Sequence, residues 1–457
     1  MSDSDLPPPD APKAQPGSPY ATKLKSVISP VYKRMDGRDD QGDTRISTPL
    51  ELLYDLSLIV AVSAVSEAFA GAIISNTSLS ESTAKFCMSF YLVWAAWSTF
   101  CWFANLNDVD DVLFRIGAFG QILGILLISS GVPSLFSYLD LTQITIGYVI
   151  VRFFDAFFYK LRAAWESASK RKSNWMQFIV SITLPCIWLL RLLVPKVMAW
   201  TVVSFTACVL LELLGPYLAS AGADIEGSIH PYHIGDRYAS FTIVIMGECV
   251  ISIGRARSQL DPSNDANTSQ LELAMILIGE LIMIFLMWWM YFAVPFGHFL
   301  ALKPNKGFFW GYSHILIHLS LGFVASSMSI CTTARDAGTK AMGIQILAIA
   351  VCLNSFFISF VVSILMHFRR NQAIVKALGG TLILVVAYVV APVVGTGASL
   401  LLMCIPLALV NAYVLYDIHT QFGKFKVVAP QSNYEVVDTT LALPGIKSHG
   451  TLADAIE

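Results

Sequence analysis

Long apolar runs separated by short polar stretches dominate the chain from Pro49 to His419. A helix needs about 20 apolar residues to cross a hydrocarbon core about 30 Å thick. The runs have that length, and they predict twelve transmembrane helices, near residues 50–74, 85–105, 114–138, 141–162, 174–194, 197–219, 236–255, 271–295, 309–331, 341–367, 374–394 and 397–417. A re-entrant hairpin is an alternative around Arg191–Lys196 and around Gly395–Gly397. The predicted fold class is all-α, a polytopic transmembrane helical bundle.

The segments that flank these runs lack the apolar pattern. Residues 1–48 are rich in proline, serine and aspartate, which predicts a disordered cytosolic N-terminal tail. Residues 49–418 form the predicted transmembrane helical domain, and the polar residues 419–457 a cytosolic C-terminal tail. The second and eighth spans share tryptophan-rich sequences, which favours two parallel six-helix repeats. A chance likeness between aromatic-rich helices is the other interpretation.

Composition supports the membrane class. Apolar residues make up 55% of the chain and charged residues 14%, and the mean hydropathy is +0.62. A net charge of -2, with no basic cluster interleaved with aromatic residues, argues against nucleic-acid binding. The eight cysteines form no CxxC pair and lie almost entirely in apolar runs, so we interpret them as core residues. No cleaved signal peptide is expected, because no basic segment leads directly into an apolar one at the N-terminus.

Lysine and arginine are distributed unevenly between the two sides of the predicted topology. With the N-terminus inside, 22 lie inside and 7 outside, which predicts that both termini are cytosolic. The sequons at Asn76 and Asn267 both fall outside in this topology and are candidate glycosylation sites. The organelle is left open.

The stretch from His233 to Glu248 places ionisable groups along one predicted helix. His233 and Arg237 are four residues apart, and Glu248 follows eleven residues later, so all three share a face at about 3.6 residues per turn. Glu248 then lies near the middle of the bilayer, where a lipid-facing carboxylate costs about 3 kcal/mol. We expect it to face the bundle, either on a substrate or proton path or as a neutral acid that holds two helices together.

Other polar groups cluster on the predicted cytosolic side. Glu51 and Asp55, one turn apart at the start of the first span, either join this path together with Asp236 or favourably interact with the helix dipole. An acidic loop between the second and third spans holds a cation, pairs with Arg237 or is simply solvated; its acids are Asp108, Asp110 and Asp111. An EF-hand is not expected, because the loop lacks the glycine and the terminal glutamate.

Several charged residues lie within spans themselves. Arg152 is the predicted partner of Glu248, because a guanidinium at that depth does not lose its proton readily. Asp155 lies in the same span, and Glu212 and Glu280 are weaker candidates. His314 and His318 are one helical turn apart. They form a hydrogen-bonded polar face, a proton relay, or a metal site completed by His298 or His233.

Three motifs resemble the low temperature requirement protein A (LtrA) family. They are Pro49-Leu-Glu-Leu-Leu-Tyr-Asp55, the tryptophan-rich second span with its following acidic loop, and the stretch from His233 to Glu248. The sequence departs from the family pattern at Tyr54, Asp236, Ala239, Ser240 and Met246. Asp236 keeps the charge of the family's glutamate but is shorter by one methylene. The resemblance implies a polytopic membrane protein and supplies no reaction.

These observations lead to a functional expectation. We expect a secondary transporter, proton-coupled through Glu248, that moves a small solute or ion across the lipid bilayer. An ion channel, a membrane sensor or scaffold, and an intramembrane metal enzyme are the alternatives. No enzymatic activity and no cofactor are expected, and the substrate and oligomeric state are left open.

Overall fold

The computed structural model of the chain describes residues 31–35, 47–107, 109–167, 171–220, 229–259, 270–365 and 370–422. Within these residues every regular element is helical, which confirms the predicted all-α class. The candidate residues Asp108 and Asn267 lie outside them, as do residues 1–30, 36–46 and 423–457 of the predicted tails. The chain divides into two compact units, Met1–Leu415 and Tyr416–Glu457. Of the second unit, residues 416–422 are described, and they are helical.

Twelve long helices follow one another along the described chain. They are α1 Pro49–Ile74, α2 Leu79–Leu106, α3 Val112–Tyr138, α4 Thr142–Phe154 continued by a π-helical turn Asp155–Lys160 and by Leu161–Glu166, α5 Arg171–Arg191, α6 Met198–Ser220, α7 Pro231–Gln259, α8 Gln270–Phe292, α9 Gly307–Thr333, α10 Ala337–Leu365, α11 Arg370–Val385 continued by Val386–Val390 and Ala391–Val394, and α12 Thr396–Phe422. A short helix, Phe296–Leu302, and a 3-10 turn, Pro304–Lys306, connect α8 to α9.

Ten of the described helices are long and apolar enough to cross a membrane. The polytopic membrane fold is therefore supported directly. The two helices that fall short are α4, which is divided by the π-helical turn, and α6, whose apolar part is Met198–Leu214. The total of twelve spans and the six-plus-six repeat stay predictions.

Local sequence signals explain where the first helix begins. Thr48 is the N-cap of α1, and Pro49 occupies its first turn, where a missing N–H is harmless. Thr48 N donates to Glu51 Oε2 at 2.7 Å, and Glu51 N donates to Thr48 Oγ1 at 3.2 Å. This reciprocal capping box satisfies two of the N–H groups that a helix start leaves unpaired. Glu51 therefore caps the N-terminal end of α1.

Glycine brings α3 and α4 into backbone contact. A Cβ atom added at Gly124 would lie 2.7 Å from the carbonyl oxygen of Gly147, which no side chain tolerates. Small residues permit this close approach between membrane helices. The contact fixes α4, and with it the charged residues that α4 carries, against the rest of the bundle.

Helix α2 is the most enclosed of the candidate spans. In its most apolar window 89% of the residues are buried, against 44% for α1 and 44% for α3. Its polar side chains contact groups on α1, α4, α7 and α9. Helix α2 therefore connects the parts of the candidate site.

Candidate functional site

A bidentate ion pair joins α1 to α7 inside the bundle. Arg237 Nη1 donates to Asp55 Oδ2 at 2.7 Å, and Arg237 Nη2 donates to Asp55 Oδ1 at 2.6 Å. Trp97 Nε1 of α2 donates to the same Oδ1 atom at 2.9 Å. Asp55 is 2% exposed and Arg237 0%. Because the guanidinium fork matches the two carboxylate oxygens, the pair compensates both charges and fixes α1 against α7.

A second polar network lies one turn away on the same two helices. His233 Nε2 is 3.3 Å from Glu51 Oε2, and both side chains are buried. His230 N donates to Asn105 Oδ1 at 3.1 Å, which fixes the orientation of the Asn105 amide. Asn105 Nδ2 then donates to the His230 carbonyl oxygen at 3.0 Å and to His233 Nδ1 at 3.1 Å. Since Nδ1 accepts, the proton of His233 is on Nε2 and faces the Glu51 carboxylate.

Glu248 lies about three turns beyond Arg237 along α7 and is fully buried. Ser252 Oγ donates to Glu248 Oε1 at 3.0 Å. The Ser63 side chain of α1 also hydrogen-bonds to this carboxyl group. The carboxyl group therefore faces α1, inside the bundle.

His318 lies between the Asp55–Arg237 pair and Glu248, and its contacts link α9 to α2 and α7. Trp94 Nε1 of α2 donates to His318 Nδ1 at 3.2 Å, so the ring proton is on Nε2. His318 Nε2 is 3.1 Å from Thr242 Oγ1 of α7, and Thr242 Oγ1 donates to the Tyr238 carbonyl oxygen at 2.9 Å. His318 therefore donates to Thr242 and completes a chain of hydrogen bonds from α2 through α9 to α7.

His314 has one ring nitrogen in a hydrogen bond and one, Nε2, without a hydrogen bond among the described residues. His314 Nδ1 is 2.8 Å from the carbonyl oxygen of Trp310, to which it must donate. His298 packs against the Tyr232 ring with the centroids 5.2 Å apart. No group of three His, Cys, Asp or Glu side chains among the described residues has the geometry to hold a metal ion.

Another buried ionic cluster lies between α4, α5 and α6. The Glu212 carboxylate accepts hydrogen bonds from Arg152 Nη2 and from the Tyr148 hydroxyl, both at Oε1. Trp188 Nε1 donates to Glu212 Oε2 at 3.3 Å. Arg152 Nη1 donates to Thr99 Oγ1 of α2 at 3.1 Å. Arg152 therefore pairs with Glu212, and the prediction that it compensates Glu248 is wrong.

The π-helical turn of α4 brings two further charges to this cluster. Asp155 Oδ2 is 3.3 Å from Lys160 Nζ and 3.9 Å from Arg152 Nη1. Ser181 Oγ of α5 donates to the same oxygen at 3.3 Å. A π-helical turn adds a residue to the helical repeat and occurs frequently at functional sites. Here it begins at Asp155 and ends at Lys160.

The two described acids of the acidic loop pair with arginines other than Arg237. Asp111 accepts from Arg162 Nη1 at 2.9 Å and from Nη2 at 2.6 Å, and Asp110 pairs with Arg115 at 2.9 Å. These contacts contradict the predicted pairing of the loop with Arg237 for the two described acids. Burial alone would raise the pKa of Asp111, but hydrogen bonds from Arg162 and from the backbone N–H groups of Lys33 and Phe114 hold it below its usual value.

Residues 31–35, which we call the N-terminal strap, cross the ends of α3 and α4. Lys33 N donates to Asp111 Oδ2 at 2.9 Å, and Met35 N donates to Glu166 Oε2 at 2.7 Å. Arg162 Nη2 donates to the Lys33 carbonyl oxygen at 2.5 Å. The Met35 side chain is 1% exposed. This part of the predicted tail therefore packs against the helices.

Asp236 lies outside the buried cluster formed by Glu51, Asp55, His233 and Arg237. It is exposed, whereas its neighbour Arg237 is fully buried. Successive residues of an α-helix point about 100° apart, so the two side chains do not share a face. Asp236 is therefore not one of the buried groups, and its place on the substrate or proton path stays a prediction.

Several polar partners were not singled out from the sequence. They are Trp97, Thr99, Asn105, Tyr148, Trp188 and Thr242. Each is a neutral donor or acceptor within an apolar run. Such residues are common in membrane helices, and only the packing of a second helix shows which of them meet a charge.

One known protein family matches most of the chain. A sequence model of the family described as bacterial low temperature requirement A protein (LtrA) matches residues 46–414. The chain belongs to the LtrA family. No curated protein and no solved structure matches this LtrA protein. The matched residues include both ionic clusters, and the LtrA family is not known as an enzyme family.

Proposed function

We propose that this LtrA protein is a secondary transporter that couples the movement of a small solute or ion to protons. The observation that carries the proposal is Glu248, an ionisable group enclosed by helices and carried by α7, the helix that also contributes Arg237 to the buried pair with Asp55. An ionisable side chain in the bilayer interior is costly and usually marks a transport or proton path. Serine, threonine or asparagine would join two helices at a lower cost.

The hydroxyl partners of Glu248 suit a group that gains and loses a proton. A hydroxyl donates to a carboxylate and accepts from a carboxylic acid, so Ser252 and Ser63 serve both states. Arg237, in contrast, only donates and favours the charged form of Asp55. Glu248 is thus the proposed proton carrier, whereas Asp55 and Arg237 form the proposed gate.

The gate lies at the predicted cytosolic ends of α1 and α7. Two contacts close it there, the Asp55–Arg237 pair and the Glu51–His233 hydrogen bond. Separation of α1 from α7 would break both contacts and admit water toward Glu248. Such rearrangement of helices around a central site is how secondary transporters achieve alternating access.

Polar groups continue from Glu248 toward the gate. Thr242 and His318 lie between Glu248 and the gate. The proposed proton path follows Glu248, His318 and Thr242 to the gate. Glu280 on α8, whose buried carboxyl accepts from Thr332 Oγ1 of α9 at 3.3 Å, is not part of this proposed path.

Proton flux into proteoliposomes tests the proposal. Vesicles that contain a pH-reporting dye are given a proton gradient under a potassium-clamped membrane potential, with and without added solutes. We expect the wild-type protein to carry protons faster than empty vesicles, and Glu248→Gln to abolish the difference. Glu280→Gln, which removes a buried acid next to Thr332, is the matched control and keeps at least part of the flux.

Three results would contradict the proposal. Glu248→Gln that matches the wild type in every condition where the wild type exceeds empty vesicles removes the proton role. Unitary conductance in planar bilayers identifies a channel. A Glu248→Gln variant that only lowers the unfolding temperature, in a protein with no flux, identifies a structural role in a sensor or scaffold.

A further inference from the structure

Two buried arginines of the bundle, Arg237 and Arg152, are bound differently. Arg237 presents both terminal nitrogens to the two oxygens of Asp55. Arg152 reaches Glu212 through Nη2 alone, and its Nη1 donates to the Thr99 hydroxyl. The end-on fork of Arg237 is therefore closed by one protein carboxylate, whereas that of Arg152 is divided between a carboxylate and a hydroxyl.

Two polar atoms of the α4 cluster, on side chains three residues apart in the helix, have no hydrogen bond among the described residues. Arg152 Nε, a donor, and Asp155 Oδ1, an acceptor, are buried and find no hydrogen bond among the described residues. Their side chains are 6% and 1% exposed, and Arg152 Nη1 is 3.9 Å from Asp155 Oδ2. A buried polar atom without a hydrogen bond costs about 1–3 kcal/mol. The cluster therefore has an unused donor on Arg152 and an unused acceptor on Asp155.

The charges of the cluster limit the net charge of a ligand. Arg152 and Lys160 are balanced by Asp155 and Glu212. An additional net charge in this buried site would be uncompensated and costly. A zwitterion meets both requirements, because it is neutral overall and offers an anion to Arg152 and a cation to Asp155.

Aromatic rings line the same region. Tyr148 packs against Trp188 with ring centroids 5.5 Å apart, and Trp188 packs against Phe205 at 5.0 Å. The Arg152 guanidinium lies 5.6 Å from the centroid of the Tyr148 ring. These rings offer an apolar surface beside the charges, as sites for small molecules with an apolar part do.

We infer that Arg152 and Asp155 bind a small zwitterion, an α-amino acid with an apolar side chain, with its carboxylate on Arg152 and its ammonium group on Asp155. Lys160 is the most exposed member of the cluster, at 14%, and marks the side from which the ligand enters. The inference names the solute class of the proposed transporter and rests on that proposal for its role. Binding itself is measured without transport.

Calorimetry on the purified full chain in detergent tests the inference with four probes. L-leucine is the expected ligand, and glycine is the bare zwitterion. Isocaproate keeps the leucine side chain and carboxylate but lacks the ammonium group, and isoamylamine lacks the carboxylate. We expect leucine to bind, glycine to bind more weakly, and each truncated analogue to bind about 10- to 100-fold more weakly than leucine, the loss expected for one hydrogen bond to a charged group.

Two variants assign the binding to the cluster. Asp155→Asn keeps the shape but not the charge, and Arg152→Lys keeps the charge but not the planar fork. Each is expected to weaken leucine binding about 10-fold or more, whereas Glu280→Gln leaves it unchanged. If Arg152→Lys does not fold, the comparison of the four probes on the wild-type protein still decides.

Three outcomes overturn the inference. They are no binding of leucine or glycine to the wild type, isocaproate that binds as tightly as leucine, and unchanged leucine binding in folded Asp155→Asn. The Glu248→Gln variant separates this inference from the proposed function. It is expected to bind leucine normally while it fails to carry protons, so each claim fails on a different measurement.

Discussion

Asp55 and Arg237 have been removed from water, and their mutual contacts have to offset that cost. Buried pairs of this kind contribute little compared with an apolar replacement, but the loss of one partner leaves an uncompensated charge. Three hydrogen bonds, two from Arg237 and one from Trp97, satisfy the Asp55 carboxylate, whereas Arg237 Nε has none among the described residues. Its value lies in fixing the register of α1 against α7.

Removal of the Asp55 charge is expected to destabilise the protein strongly. Asp55→Asn leaves Arg237 buried without its anion, at a cost of about 3–5 kcal/mol. The measurement is thermal unfolding of the purified protein in detergent. Asp110→Asn is the control, because the Asp110–Arg115 pair is 28% and 49% exposed and such pairs contribute about 0–1 kcal/mol. Equal losses for the two variants would contradict the assignment of Asp55 to a buried pair.

Residue spacing identified the charged positions of α7 but not all of their partners. Helical periodicity is sufficient to place His233, Arg237 and Glu248 on one face. A partner, however, comes from another helix, and the sequence does not determine the rotation or the depth of that helix in the bundle. Burial cost alone assigns Arg152 to Glu248, whereas in the structure the Arg152 side chain reaches Glu212 of α6.

At the scale of elements, the N-terminal strap joins α3 and α4 through hydrogen bonds to Asp111, Arg162 and Glu166. The depressed pKa of Asp111 makes this contact sensitive to acid. A carboxyl whose folded-state pKa lies below its unfolded value stabilises the fold above the unfolded value. That contribution disappears as the pH falls through the folded-state pKa.

The unfolding temperatures of the wild type and Asp111→Asn are expected to converge in acid. Above about pH 4, the ordinary range of an aspartate, the wild type should be the more stable of the two, because only its ionised Asp111 pairs with Arg162. The difference should shrink as the pH falls below that range. Unfolding curves of both proteins between about pH 3 and 7 measure this. A difference that grows on acidification would contradict the role of the ionised carboxylate.

The helices themselves were predictable because apolar length is the dominant signal in a membrane. Predicted spans 50–74 and 114–138 correspond to Pro49–Ile74 and Val112–Tyr138. The π-helical turn was not predictable, because it depends on how Asp155 and Lys160 are accommodated by neighbouring helices. The packing of the N-terminal strap was missed for a similar reason, since its polar sequence has no periodicity.

At the scale of the whole molecule, the orientation in the membrane is a prediction from the distribution of lysine and arginine. We expect the loop with Asp140 to lie outside and the loop with Lys303 to lie in the cytosol. Asp140→Cys and Lys303→Cys, each in a Cys186→Ser background that removes an exposed cysteine, are treated with an impermeant maleimide on intact cells. The first should be labelled directly and the second only after permeabilisation. The opposite result would invert the topology.

The central position of α2 was not evident from the sequence. Its mean hydropathy of 1.3 is low for a span, compared with 2.3 for α10. A helix enclosed by others does tolerate polar residues that a lipid-facing helix would not. Helix α5 has the same hydropathy with only 22% of its window buried, so the value alone does not separate the two cases.

Enclosure of α2 has a consequence for biosynthesis. Its indole N–H groups at Trp94 and Trp102 find their acceptors on His318 of α9 and Tyr238 of α7, which the ribosome makes more than 130 residues later. The nascent α2 must therefore wait in lipid, or beside an insertion chaperone, with those donors unsatisfied. Chains halted after α6 are expected to be recognised by quality control and degraded, whereas chains that have completed α9 persist.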